Sequence, residues 1–224
     1  MSNPWPEDLL ERMRLDWDER VRDNACYFVA TGQQDWNDEE FFRSGENNVG
    51  QQILNDMINI CQGRDPAAMR VLEIGCGAGR ITRALAQVFG RVDGVDVSGE
   101  IIEHARQTLS GCPNIGVWQN NGADLAMFGD EEFDFAFSYI VFQHIPRKAI
   151  VENYMREVRR VLRPGALFKF QVQGAPREDE DSDTWLGVGF SQDEMAAMAA
   201  RTGFEMRYSH GAETQYFWLW FFKT

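Results

Sequence analysis

Cysteine is scarce in this sequence, and the four present, Cys26, Cys61, Cys76 and Cys112, form no close pair. Zinc ribbons and CxxC redox centres need ligands a few residues apart, so neither can be drawn and no metal site is expected. Dispersed thiols instead suit a reduced, cytoplasmic protein. Histidine is scarcer still: His104, His144 and His210 are the three imidazoles available for proton transfer. Positive charge is outnumbered, with 22 Lys and Arg against 35 Asp and Glu and a formal net charge of −13. Phosphate backbones and anionic bilayers would be repelled, so neither a nucleic-acid nor a membrane partner is expected. Long apolar runs are missing too. The longest, Tyr216 to Phe222, falls well short of the roughly 20 residues that span a bilayer, and the charged stretch Met1 to Arg22 has no apolar export core.

What is present describes a globular chain. Apolar residues at 44% and charged residues at 25% are ordinary for a folded domain, and 224 residues suffice for one core with elaborations. Residues 1–65 have helical texture and are expected to form an N-terminal cap or lid. Pro6 to Ala30 carries apolar residues at helical spacing, Asn37-Asp38-Glu39-Glu40 has the pattern of a capping box, and Val49 to Cys61 reads as a third helix with Leu54, Met57, Ile58 and Cys61 on its apolar face. Trp17, Tyr27, Trp36 and Phe42 in this segment serve either as a lid over a substrate or as core. From residue 66 to 224 the period alternates. Strand-like runs at 71–74, 92–97, 115–119, 133–139 and 166–172 are separated by helical stretches at 80–88, 99–109 and 147–161. Such alternation predicts a doubly wound α/β sheet. At the end, Ser191 to Glu194 caps a last helix, and the runs 204–210 and 214–222, separated by Gly211-Ala212-Glu213, predict an antiparallel hairpin.

The sharpest local feature is Val71-Leu72-Glu73-Ile74-Gly75-Cys76-Gly77-Ala78-Gly79-Arg80, a strand entering a glycine turn that opens a helix. Ligands of open parallel sheets sit at the carboxyl ends of the strands, and glycines let the backbone approach them. Asp96, 21 residues beyond Gly75, ends the next strand, where a carboxylate accepts hydrogen bonds from two ribose hydroxyls. Adenosine binding follows. The dinucleotide pattern GxGxxG is absent, since the glycines here fall at every second position.

Glu73-x-Gly75-x-Gly77-x-Gly79 resembles motif I of the class I S-adenosylmethionine (SAM) methyltransferases, and four further markers stand in order behind it. Asp96-Val97-Ser98 resembles that family's acidic loop, Phe133-Asp134-Phe135 with Ser138 to Pro146 its segment after the fourth strand, and Leu162-Arg163-Pro164-Gly165 its turn into the fifth. The terminal hairpin resembles the antiparallel seventh strand of the family's Rossmann-like, seven-stranded sheet. The resemblance covers roughly residues 70–224. It implies SAM as cofactor and S-adenosylhomocysteine as product. Glu73 would support the methionine end, Gly75, Cys76, Gly77 and Gly79 would shape the loop, Asp96 and Val97 would hold the ribose, and Gly122 and Ala123 would lie at the adenine. Many relatives place an Asp where Gly122 stands, so the backbone of Ala123 is the expected adenine contact.

Methyl transfer needs an acceptor held close to the methyl in a dry pocket; a hydroxyl acceptor also benefits from a general base, whereas a carboxylate or a neutral amine needs none. His144 is the best-placed imidazole, either as that base or as an anchor of its loop. Tyr139, assigned to both cofactor and catalytic roles, and Gln143 flank the same opening. Ser138 to Val141 is not the (Asp/Asn)-Pro-Pro-aromatic sequence of enzymes that methylate adenine or amide nitrogen, and Cys112-Pro113 reverses the cytosine-C5 order. The basic residues Arg147, Lys148, Arg156, Arg159, Arg160 and Arg163 read as a solvated helix face. The acidic run 178–183 is either a solvated loop or a gate for cationic amines, with Trp185 and Phe190 as its apolar wall. The expected protein is a SAM-dependent methyltransferase, monomeric or homodimeric, acting on an oxygen or nitrogen of a small-molecule acceptor. A protein or tRNA acceptor and a noncatalytic SAM-binding module are the alternatives.

Overall fold

The computed structural model describes residues 5–30, 33–175 and 183–224. The first helix, α1 (Glu7–Val29), breaks at Asn24, whose φ of −162° and ψ of 93° are extended. There the Asn24 side chain accepts the Tyr27 N–H at 3.0 Å and donates to the Gln34 carbonyl at 3.1 Å, so the last turn starts with its own cap. Asn37 caps α2 (Asp38–Gln52) by accepting the Glu40 N–H at 2.9 Å, with three carboxylates in the first turn facing the positive end of the helix dipole.

The expected third helix is interrupted. α2 ends at Gln52, a tighter turn runs over Leu54–Asp56, and only Met57–Cys61 forms α3. The break shifts the helical phase, so Ile53, Ile60 and Cys61 are buried while Leu54 and Ile58, assigned to the apolar face, are 51% and 84% exposed. Gly45 explains how closely α2 sits on α4 (Arg80–Ala86): a Cβ there would lie 2.1 Å from the Arg80 carbonyl oxygen. Gly45→Ala is expected to cost about 1–3 kcal/mol in urea denaturation, because two helix backbones must separate. A change within error would show that α2 moves freely.

Residues 12–122 form one compact unit, and residues 1–11 with 123–224 form another. In the first, β1 (Arg70–Ile74), β2 (Arg91–Asp96) and β3 (Ile115–Gln119) pair in parallel, with α5 (Gly99–Thr108) between the last two. In the second, β4 (Phe133–Ser138) pairs in parallel with β5 (Leu162–Val172), joined through α6 (Lys148–Val161). After α7 (Gln192–Thr202), β6 (Phe204–His210) and β7 (Phe217–Lys223) are antiparallel, and β7 also runs antiparallel to β5. The strand order is β3-β2-β1-β4-β5-β7-β6. This is the expected seven-stranded α/β sheet with an antiparallel last strand. The hairpin connection is longer than expected, since Thr214 folds back on the Gly211 carbonyl through both N–H and Oγ1 and β7 starts only at Phe217.

Phe41 and Phe42 share a buried core with Cys76, Ala78, Ile101, Ile102, Ala105 and Leu109, and Trp36 packs against it while donating its indole N–H to the Ala30 carbonyl. Of the N-terminal aromatics, Phe42 and Trp36 thus serve as core. The capping box at Ser191 closes in both directions with Glu194. The basic residues around α6 are half-buried to exposed, as a solvated face requires, and they also make specific contacts. Arg160 binds Glu157, Asp130 and two main-chain carbonyls, Arg163 binds Asp134, Arg159 binds the Gly203 carbonyl and Lys148 binds Glu194. They join α6 and the start of β5 to β4, α7 and the loops beside them.

Candidate functional site

β1 runs into its loop through Gly75, Gly77 and Gly79 at φ of 74°, 52° and 84°, the left-handed region that glycine enters without strain. The Gly75 and Cys76 N–H groups both donate to the Val95 carbonyl, at 2.8 and 3.0 Å, which fixes the loop on β2. Cys76 turns inward and packs on Gly94, where a Cβ would approach its own Cβ to 2.7 Å. Burial pushes this thiol well above its ordinary pKa, so it behaves as an inert core residue. Glu73 is 3% exposed and accepts the Thr82 hydroxyl at 2.6 Å. Desolvation raises its carboxyl to about 8, against the lowering effects of Thr82 and Arg80.

Asp96 ends β2, and its two carboxylate oxygens accept the N–H groups of Ser98 at 3.1 Å and Gly77 at 3.0 Å. Burial raises its pKa, with the main-chain donors pulling the other way. Val97 lies against Gly122, where a Cβ would stand 3.0 Å from the valine Cγ2, and Gly122 is held at φ 83° with its N–H on the Asn120 carboxamide oxygen at 3.1 Å. Glu73, Gly75, Cys76, Gly77, Gly79, Asp96, Val97 and Gly122 all belong to one unit, at the ends of β1 and β2 and on the loops after β1, β2 and β3.

Asp18 of α1 was not legible as part of this region. It is 3% exposed, receives the Ser98 hydroxyl at 2.6 Å and the Glu100 N–H at 3.3 Å, and is itself held by Arg14 at 2.8 Å. Its partners on the loop after β2 stand about 80 positions away, so the local sequence announces only the ion pair with Arg14. Two more contacts set α1 on the loops: Val29 is 2.8 Å from a Cβ at Gly77, and Met13 is 3.7 Å from one at Gly122.

Ala123, Tyr139 and His144 belong to the second unit. The Ala123 carbonyl accepts the Asn153 carboxamide at 2.9 Å. Tyr139 stacks on Trp218 with centroids 5.2 Å apart, and Trp218 stacks on Phe137 in turn. Ile140 sits at φ 57°, a strained conformation for a β-branched side chain. Its N–H donates to the Gln171 carboxamide at 3.1 Å. Both ring nitrogens of His144 are engaged, Nδ1 with the Trp185 carbonyl and Nε2 with the Gln143 carboxamide. Gln171 was missed, although a glutamine inside an apolar, buried strand is a readable signal. His104 and His210 are exposed on α5 and at the end of β6. Residues 178–182 of the acidic run lie outside the described residues, whereas Asp183 accepts the N–H groups of Trp185 and Leu186 at 2.8 and 2.6 Å. Phe190, expected to wall a pocket, is 1% exposed and belongs to the core.

A family model described as a methyltransferase domain matches residues 71–165. A ubiquinone biosynthesis O-methyltransferase of Chelativorans is 31% identical over 149 residues, 62% of this chain and 57% of that protein. A probable SAM-dependent methyltransferase of Mycolicibacterium smegmatis is 28% identical over 158 residues, 69% of this chain and again 57% of the relative. The chain thus spans less than two thirds of the length of these relatives. Among solved structures, a DhpI–SAH complex superposes over 97% of this chain and 98% of its own with a TM-score of 0.67 at 19% identity, a likeness of fold. Together with the ordered glycine loop and the strand order, these comparisons make the chain similar to the class I SAM-dependent methyltransferases.

Proposed function

We propose that the chain binds SAM on the loops after β1, β2 and β3 and methylates an oxygen or nitrogen of a small-molecule acceptor, releasing S-adenosylhomocysteine. The observation that carries this reading is the Asp96 carboxylate, braced by the Gly77 and Ser98 N–H groups beside the three-glycine loop. An ionised carboxylate has about four lone-pair sites, so this bracing leaves acceptor capacity for ribose hydroxyls. The residues present fit the cofactor in this respect. Gly75, Cys76, Gly77 and Gly79 would shape the loop around it, Glu73 would support its methionine end, Val97 and Gly122 would border the adenine, and the Ala123 backbone would contact it. When bound, SAM supplies an electrophilic methyl group on a sulfonium centre.

The remaining work falls to positioning. Holding an acceptor in line can supply several kcal/mol, on the order of 7 or more in favourable cases. Tyr139 would orient it from a ring fixed by Trp218. His144 would take the proton of a hydroxyl acceptor at Nε2 once the Gln143 carboxamide gives way, whereas an amine acceptor would leave His144 as an anchor. Residues 1–65 act in this reading as a cap on the core of residues 66–224, supported by the contacts of Met13, Asp18 and Val29 with the cofactor loops. The named activity of the Chelativorans relative supports oxygen as the attacked atom. No described helix is long and apolar enough to cross a membrane. The protein is in this reading a cytoplasmic monomer or homodimer, and the charge of −13 supports the absence of nucleic-acid and anionic-membrane partners.

The test is transfer of tritium from methyl-labelled SAM into extract fractions separated by dialysis. Label is expected in the low-mass fraction. Label confined to protein or RNA would replace the small acceptor, and absence of any transfer would leave a binding module.

A further inference from the structure

A chain of side chains in the second unit has its polarity fixed at both ends by main-chain groups. At one end the Ile140 N–H can only donate, so Gln171 presents Oε1 to it, at 3.1 Å, and turns Nε2 to Gln143 Oε1, at 3.0 Å. Gln143 then offers its own Nε2 to His144 Nε2, at 3.2 Å. At the other end the Trp185 carbonyl can only accept, so His144 Nδ1 carries the ring proton. Amide orientation and imidazole tautomer follow from the network around them. Here they are dictated twice, from opposite ends, with one result.

The fully buried Gln171 is the pivot. Its Nε2 also lies 2.8 Å from the Val172 carbonyl and 2.7 Å from the Gln215 carbonyl. A flipped carboxamide would set its oxygen against three acceptors and its amino group against an N–H. Leaving such buried groups unmatched costs about 1–3 kcal/mol each, so the flip is closed. Gly187, at φ 52°, holds the segment carrying Trp185 close to this chain: a Cβ there would fall 2.2 Å from the Gln143 carbonyl oxygen.

We infer that Gln171 is a positioning residue that acts through Gln143 to hold His144 as the neutral Nδ1–H tautomer, with Nε2 kept unprotonated as an acceptor. The same carboxamide clamps the left-handed turn at Ile140. Only the use of that tautomer as a base rests on the proposed methyl transfer.

Ring-nitrogen NMR tests the inference without SAM or acceptor, and with three histidines in the chain a His144→Gln variant suffices for assignment. At pH 7.5 the wild-type His144 is expected to show a protonated Nδ1 and an unprotonated Nε2, the reverse of the tautomer that an unconstrained histidine side chain prefers. In Gln171→Glu the carboxylate cannot donate to Gln143, the Gln143 amide turns over, and a proton is expected on Nε2. Gln171→Leu, which introduces no buried charge, is expected to replace the single tautomer with a mixture. A wild-type ring protonated on Nε2, or a wild-type pattern retained in either variant, overturns the inference. Calorimetry with SAM on the same variants keeps the outcomes separate, because lost cofactor binding bears on the transferase reading and leaves the tautomer assignment untouched.

Discussion

Asp96→Ala is expected to weaken SAM binding by about 1.5–3 kcal/mol, roughly 10- to 150-fold in Kd, the usual worth of hydrogen bonds to a charged group. The carboxylate has two tasks, and the substitution separates them. It braces the loops through the Gly77 and Ser98 N–H groups, and it offers its remaining lone pairs to the ribose. Loss of the brace lowers thermal stability without ligand; loss of the ribose contact lowers affinity for SAM and S-adenosylhomocysteine by the same factor, since both carry the same sugar. Isothermal calorimetry on the folded variant reads the second effect alone. Unchanged affinity for both ligands would remove Asp96 from the cofactor site.

The second large effect is a dependence of stability on pH that runs against the usual direction for a carboxylate. Glu73 has an ordinary value of 4.5 and is raised to about 8 by burial in the folded protein. Below pH 4.5 both states are protonated and the group contributes no slope. As pH rises, the unfolded chain loses its proton first, so the folded state binds more protons and its stability falls at about 1.4 kcal/mol per pH unit. The loss is on the order of 4 kcal/mol by pH 8, where the folded carboxyl also ionises and the slope levels off. Glu73→Gln keeps an oxygen for the Thr82 hydroxyl and removes the titration. The variant is expected to be more stable than wild type at pH 8 and close to it at pH 5, in urea melts at constant ionic strength. Subtracting the two curves cancels groups shifted the other way, such as Glu157 beside Arg160. Parallel curves would mean that Glu73 is ionised in the folded protein.

The residues that could be read from sequence are those whose reason is local. Gly75, Gly77 and Gly79 announce themselves because a left-handed turn at a strand end demands them. Asp96 follows from the length of one strand–helix–strand unit, and the antiparallel terminus follows from a connection too short for a crossover. What escaped depends on distant partners or on helical phase. The periodicity of 49–61 is real, but the tight turn after Ile53 rotates it, so Leu54 and Ile58 face outward. Arg159, Arg160 and Arg163 read as a solvated stripe, and what the pattern does not show is the carbonyl and carboxylates about 30 to 44 positions away that each of them meets. Asp18 is one of several charged letters in α1 and Gln171 one polar letter in a mostly apolar strand, and nothing nearby says which distant N–H or hydroxyl each will meet.

Asp18 carries a consequence for synthesis. It leaves the ribosome some 80 residues before Ser98, the hydroxyl that satisfies it. Until β2 and the first turn of α5 have emerged, Asp18 has only Arg14 beside it, and Val21, Ala25 and Val29 have only part of the core they pack against. The loops that β1 and β2 present are then equally incomplete. A nascent chain stalled before residue 98 should remain open to protease along α1, and one stalled well past residue 122 should not. A helix made before its partner loops is thus closed late, at the cost of one long loop closure.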